Sequence, residues 1–308
     1  MSDTSVTHGP SRTLTRNRCI YCWARDVRLS DEHVVPYSLG GQHVLEKASC
    51  DICANITKRF EQDVARGLWG DARAAYNAPT RRMKERVTEI VLEDPKGLDS
   101  DLTIPINDYP AGFVFYKMSR AGILEGREAN EDVSATWTMD VISDDKRREE
   151  FLKQAPGRLT VKFRHVPVSF AQMVAKIGYC QVMTSLSPED FDAICLPYIL
   201  GKAQNLSHIV GARPNNEPPE PNIGYRLASH RFGTESFQVI VATVRLLANC
   251  NTPTYHVVVG SVRGKERVRK MSSRLEAQYA VDMPPLFDTP RTPPSELHWM
   301  PRVWPTQI

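Results

Sequence analysis

The chain has 308 residues, with 39 Lys and Arg against 36 Asp and Glu for a net charge of +3; 41% of residues are hydrophobic and 24% charged. These fractions are those of globular proteins, which excludes wholesale disorder and fibrous architecture, and the length suits two domains of about 100–200 residues each. Apolar runs are a few residues long, far short of the ~18 a bilayer-crossing helix needs, and the first residues carry no signal-type apolar stretch, so a cytoplasmic protein with no membrane partner is expected.

In chain order, residues 1–18 are polar, rich in Ser and Thr, and expected to be disordered. Two C-x-x-C pairs follow, Cys19-Ile-Tyr-Cys22 and Cys50-Asp-Ile-Cys53, with 27 residues between Cys22 and Cys50. Each pair puts two thiolates on one tight turn, and two such knuckles complete a tetrahedral four-sulfur site suited to structural Zn²⁺. Such a site is closed, so it has no open position for catalysis. The remaining cysteines, Cys180, Cys195 and Cys250, lie in apolar surroundings and read as small buried hydrophobes.

After the second knuckle, Ile56, Phe60, Val64, Leu68, Ala72 and Tyr76 recur every four positions, which predicts an amphipathic helix with Asp51 or Asn55 near its start. A basic stretch and the alternating run VTEIVL carry this helical connector to residue 92, and the turn-rich EDPKGLDSD at 93–101 marks a boundary. Residues 102–282 read as a mixed α+β domain. Its expected strands are GFVFYKM, TWTMDVI, LTVKFRHVPV and a pair around NCNTPT; its buried helix is SFAQMVAKIGYCQVMTSL, with Ser169 as cap. The tail 283–308 holds seven of the 22 prolines and is expected to be irregular or disordered.

Chemistry is sought between the knuckles, in LSDEHVVPYSLGGQHVLEKASC. A carboxylate beside an imidazole, Glu32-His33, pairs a group that holds a divalent cation with one that deprotonates water. The order CxxC, EHVVPYSLGG, ASCxxC and then a helix resembles the HNH endonuclease family of ββα-metal, treble-clef nucleases. The continuation resembles bacterial HNH proteins with a large C-terminal region. The resemblance spans residues 19–62. It implies an α+β protein: an N-terminal zinc-bound ββα-metal module and a larger C-terminal mixed α+β domain. It further implies hydrolysis of DNA phosphodiesters with His33 as general base, and Mg²⁺ or Mn²⁺ held by Glu32 and a helix residue, here Asn55, with Asp31 as a second carboxylate. Two positions depart from the family pattern. Ala54 follows the last cysteine where Asn is usual, and no Asn stands near Glu46-Lys47-Ala48. A non-catalytic zinc-dependent nucleic-acid-binding protein is therefore the rival reading.

DNA is the expected partner, with RNA as the other nucleic acid. Eight Lys and Arg against four acids lie between Lys58 and Arg86. Within that stretch Lys58, Arg59, Arg66, Arg73, Arg81 and Arg82 are the candidate phosphate contacts, the seven-residue spacing of Arg59, Arg66 and Arg73 suggesting one helix face. A second cluster, RGKERVRKMSSR at 263–274, has six basic residues and one acid. The C-terminal domain carries no recognised catalytic motif and is expected to supply target recognition or self-association into a homo-oligomer.

Overall fold

The computed structural model describes residues 11–290 except 16, 94–96, 98–99, 160–161 and 278–279; the expectations for residues 1–10 and 291–308 lie outside the described residues. The chain is α+β, with an N-terminal module and a larger C-terminal part. In the module, β1 (Arg12–Leu14) runs parallel to β3 (Val44–Cys50), which pairs antiparallel with β2 (Leu29–His33), and α1 (Asp51–Gln62) follows β3 directly. Residues 12–14 thus form a strand where the composition of 1–18 pointed to disorder: three residues suffice when β3 offers an unpaired edge.

The predicted helix over 56–76 forms in three pieces. After α1, residues Asp63–Leu68 widen into a π-turn, closed by Trp69 N–H on the Val64 carbonyl at 2.9 Å, and α2 (Gly70–Ala75) resumes beyond it. Trp69 is the reason for the break. Its indole donates to the Val114 carbonyl at 2.7 Å and packs against Phe113, Phe115 and Phe170, anchoring the connector in the C-terminal core.

Beyond it, β4 (Glu89–Leu92) pairs with β5 (Leu102–Pro105), and β6 (Phe113–Lys117) with β7 (Thr138–Ile142), followed by α3 (Asp145–Gln154) and α4 (Pro167–Met183). Then come β8 (Asp192–Ala193), the one-turn α5 (Leu196–Ile199), β9 (Val210–Ala212), the long β10 (Tyr225–Gly233), β11 (Phe237–Leu246) and β12 (Tyr255–Arg263), α6 (Lys265–Ala277) and β13 (Ala280–Met283). The main sheet has the order β13-β10-β11-β12-β8, with β9 also on β12. Among the described residues of the expected strand LTVKFRHVPV no strand forms: residues 162–166 are irregular, because the Arg164 N–H is taken by the Gly67 carbonyl at 2.7 Å. Of the tail, Met283 belongs to β13, residues 284–290 are irregular, and Phe287 packs on Phe113.

Helix α4 is the centre of the molecule. Thirteen of its 17 residues, Phe170 and Ala171 and the unbroken run Met173–Met183, are buried, as its all-round apolar sequence predicts. Pro167 opens it in the first turn, where the missing N–H costs nothing, so Ser169 is not its cap; its hydroxyl instead donates to Asp63 at 2.8 Å. On one side Gly178 lies against β11 and β12; a Cβ there would sit 3.0 Å from Val257 and 3.1 Å from Ala242. On the other side Tyr179 donates to the Ile20 carbonyl, and Cys180 meets the Tyr21 hydroxyl at 3.4 Å. One apolar core runs from the knuckles through α4 into the main sheet.

Candidate active site

The two knuckles come together as their spacing predicts. Cys19, Cys22, Cys50 and Cys53 place their sulfurs within 4.8 Å of one another, with Cys22 and Cys50 at 3.6 Å. A tetrahedral Zn²⁺ with Zn–S bonds of ~2.3 Å needs sulfurs ~3.8 Å apart, so the set fits a structural zinc. The first knuckle turns at Trp23, in the left-handed region at φ 63°, after its N–H closes on the Cys19 carbonyl at 2.9 Å. The second sits at the junction of β3 and α1.

Between them the chain leaves β2 at His33, passes Pro36 and a single 3₁₀ turn, and returns through Gly40-Gly41. The glycines are required by shape. Gly40 lies at φ +86°, and a Cβ on Gly41 would stand 1.8 Å from the Val35 carbonyl oxygen. This return brings the Gly41 carbonyl to 3.2 Å from His33 Nδ1. A carbonyl only accepts, so Nδ1 carries the proton and the lone pair is on Nε2. Burial first, and the Lys176 ammonium second, lower the imidazole pKa, which keeps the ring neutral near pH 7. His33 borders a cleft of about 480 Å³, whose walls also include Lys58, Glu61, Arg66, Arg81 and Arg82. Exposed Tyr37 stands beside His33, ring centres 5.8 Å apart, with the Arg81 guanidinium 5.5 Å from its ring centre.

The three side chains expected to share a divalent ion do not converge. Glu32 is buried and its Oε1 is 2.7 Å from the Lys176 Nζ, which also pairs with Glu61 Oε1 at 2.9 Å and donates to the His33 carbonyl. Asp31 also borders the cleft. It accepts from the Lys47 N–H at 3.1 Å, where β3 bulges with Lys47 at φ 49°, and pairs with Arg12 at 2.7 Å; the Lys47 bond and the Arg12 guanidinium hold its carboxyl low. Asn55 is exposed and does not line the cleft; the wall of α1 consists of Ala54, Thr57, Lys58, Glu61 and Gln62. One residue along a helix is a 100° turn, which carries the Asn55 side chain away. Glu32, Asp31 and Asn55 therefore do not fit a shared Mg²⁺ or Mn²⁺.

The expected phosphate contacts also divide. Lys58, Arg66, Arg81 and Arg82 are exposed on the cleft, whereas Arg59 does not line it, because the π-turn between α1 and α2 breaks the seven-residue alignment. Arg73 borders the cleft with its donors already used: they bond the carbonyls of Ser38 at 2.8 Å and of Ala65 and Pro79 at 2.9 Å, and burial lowers its pKa to about 10. In the cluster 263–274, Arg267 pairs with Asp192, Lys270 and Arg274 with Asp190, and Lys265 with Glu235, so most of that charge is neutralised on the protein itself. His43 is fully buried, its Nε2 3.0 Å from the Thr13 hydroxyl, and burial lowers its pKa to about 4.

Lys176 and Glu61 were missed from the sequence. The available signal was a single charge in an otherwise apolar helix: Lys176 is the one ionisable side chain among SFAQMVAKIG, and a buried lysine needs acidic partners.

Two cysteine knuckles able to hold a zinc, a strand pair ending in a histidine, and a helix define a ββα module. Residues 19–66 match the family model described as HNH endonuclease. No curated protein and no solved structure matches the chain significantly. No helix among the described residues is long and apolar enough to cross a membrane.

Proposed function

We propose that the protein hydrolyses DNA phosphodiester bonds in the His33 cleft. The observation that carries this reading is the contact of His33 Nδ1 with the Gly41 carbonyl. With the Nδ1 proton held there, the neutral ring keeps a lone pair on Nε2, and His33 lines a cleft that is also bordered by Lys58, Arg66, Arg81 and Arg82. His33 takes a proton from water as the oxygen attacks phosphorus, and the guanidinium and ammonium groups stabilise the charge gathering on the phosphoryl oxygens as the 3′-oxygen departs. Tyr37 offers an exposed ring beside the reacting centre for stacking a base. Seven cysteines with no disulfide among them accord with a cytoplasmic setting, which is part of the same reading.

The rival reading is a zinc-dependent nucleic-acid-binding protein without catalysis. Supercoiled plasmid incubated with the purified chain, in Mg²⁺, in Mn²⁺ and in EDTA, separates the two. Nicking by the wild type is expected to fall by ~10²–10⁴-fold in His33→Ala, the usual worth of a general base. Equal inactivity of wild type and His33→Ala with unchanged DNA binding would establish the rival. Activity should also decline in acid as His33 gains its proton, with a midpoint below that of an ordinary histidine.

A further inference from the structure

The cage around Lys176 has the chemistry of a cation site. Three oxygens from two elements of the module, β2 and α1, surround one ammonium: the backbone carbonyl of His33, Oε1 of Glu32 at 2.7 Å and Oε1 of Glu61 at 2.9 Å. Two belong to buried or half-buried carboxylates, the type of donor that hard divalent ions take. Lys176 itself has no exposed surface. Its helix is locked on both sides, by Gly178 against Val257 and Ala242 and by Tyr179 on the Ile20 carbonyl, so the ammonium cannot swing out without displacing α4.

We propose that Lys176 is the resident cation of the HNH module. It fills the Glu32–Glu61–His33 oxygen cage in place of a divalent metal ion and closes that cage to such ions. The reasoning is one of charge and occupancy. A divalent ion needs the same two Oε1 atoms that the ammonium holds, at shorter range, and would enter beside an existing positive charge. The C-terminal part thereby completes the module: it supplies the charge that lets two carboxylates face each other under His33, and it ties the end of β2 to α1. Lys176 is a positioning residue, since no exposed atom of it reaches the cleft.

Mn²⁺ binding to the zinc-loaded full chain, counted by the paramagnetic resonance of the free aquo ion, tests this directly. Wild type and Glu32→Gln are expected to bind Mn²⁺ alike. Lys176→Met is expected to gain one site, at least tenfold tighter than any in the wild type, that disappears in Lys176→Met/Glu32→Gln. A wild-type Mn²⁺ site removed by Glu32→Gln overturns the proposal, as does a folded Lys176→Met with no gain. If Lys176→Met does not fold, the wild type against Glu32→Gln comparison decides alone. These counts do not depend on DNA cleavage: a chain that binds Mn²⁺ as expected but never nicks plasmid sinks the nuclease reading and leaves this one standing.

Discussion

The zinc knuckles and the His33 cleft lie in the same module and are built in opposite ways. The four sulfurs come from two short turns inside residues 19–53 and need only the β2–β3 pairing to meet. The cleft takes its histidine and two carboxylates from β2, a third carboxylate from α1 and its arginines from the π-turn, α2 and the segment after it, and behind it Glu32 and Glu61 meet a buried ammonium from α4, 143 residues from His33. A local centre is encoded by spacing and survives as a motif. A composite centre is encoded by packing, and its character can change through a residue outside the motif altogether.

The largest expected effect breaks the local half. Cys50→Ser should release the zinc, and structural zinc sites supply about 10–16 kcal/mol, comparable to the whole stability of a domain. Metal analysis should fall from about one zinc per chain to none, with loss of near-ultraviolet dichroism. Normal folding without bound metal would show that the knuckles stand on packing alone.

A second prediction probes the ground between the centres, where His43 packs on β1. Its folded-state pKa, about 4, lies below the ordinary 6.5, so the unfolded chain binds the proton more tightly. The stability this represents is complete above pH about 6.5 and is lost as pH falls toward about 4; at ~1.36 kcal/mol per unit it amounts to about 3 kcal/mol. His230 and His256 have the same sign and similar values, so His43→Gln should flatten, without abolishing, the fall of the melting temperature from pH 7 to pH 4.5. An unchanged slope would refute the burial of His43.

The smallest effect sharpens the composite half. Arg81→Ala removes one exposed cation from the cleft and should weaken DNA binding by about tenfold or less, lowering the salt dependence by about one phosphate contact. Arg73→Lys should instead lower the melting temperature, because Arg73 holds three carbonyls. A loss of salt dependence from Arg73→Lys equal to that from Arg81→Ala would place Arg73 on DNA after all.

What could be read ahead of the structure follows the same division. The two C-x-x-C pairs, the buried character of α4 and the long strands around NCNTPT show in spacing and alternation, because their partners are near in sequence. The failed strand at 159–168 has good β-branched alternation, but Arg164 is recruited by Gly67 and Asp63 across the chain. Asn55 and Arg59 were misaligned for one reason each: a single-residue offset on α1, and a π-turn that periodicity does not reveal. Lys176 was visible as a letter and silent as a role, since no property of α4 alone names the two glutamates it meets.

The distance from His33 to Lys176 also sets an order in time. At ~5–20 residues per second, a ribosome takes roughly 7–30 s to pass from one to the other. Through that interval the nascent module can fold around its zinc, while Glu32 and Glu61 have no counter-ion of their own. Glu32 and Glu61 therefore meet their ammonium last, only once translation has passed the middle of the chain.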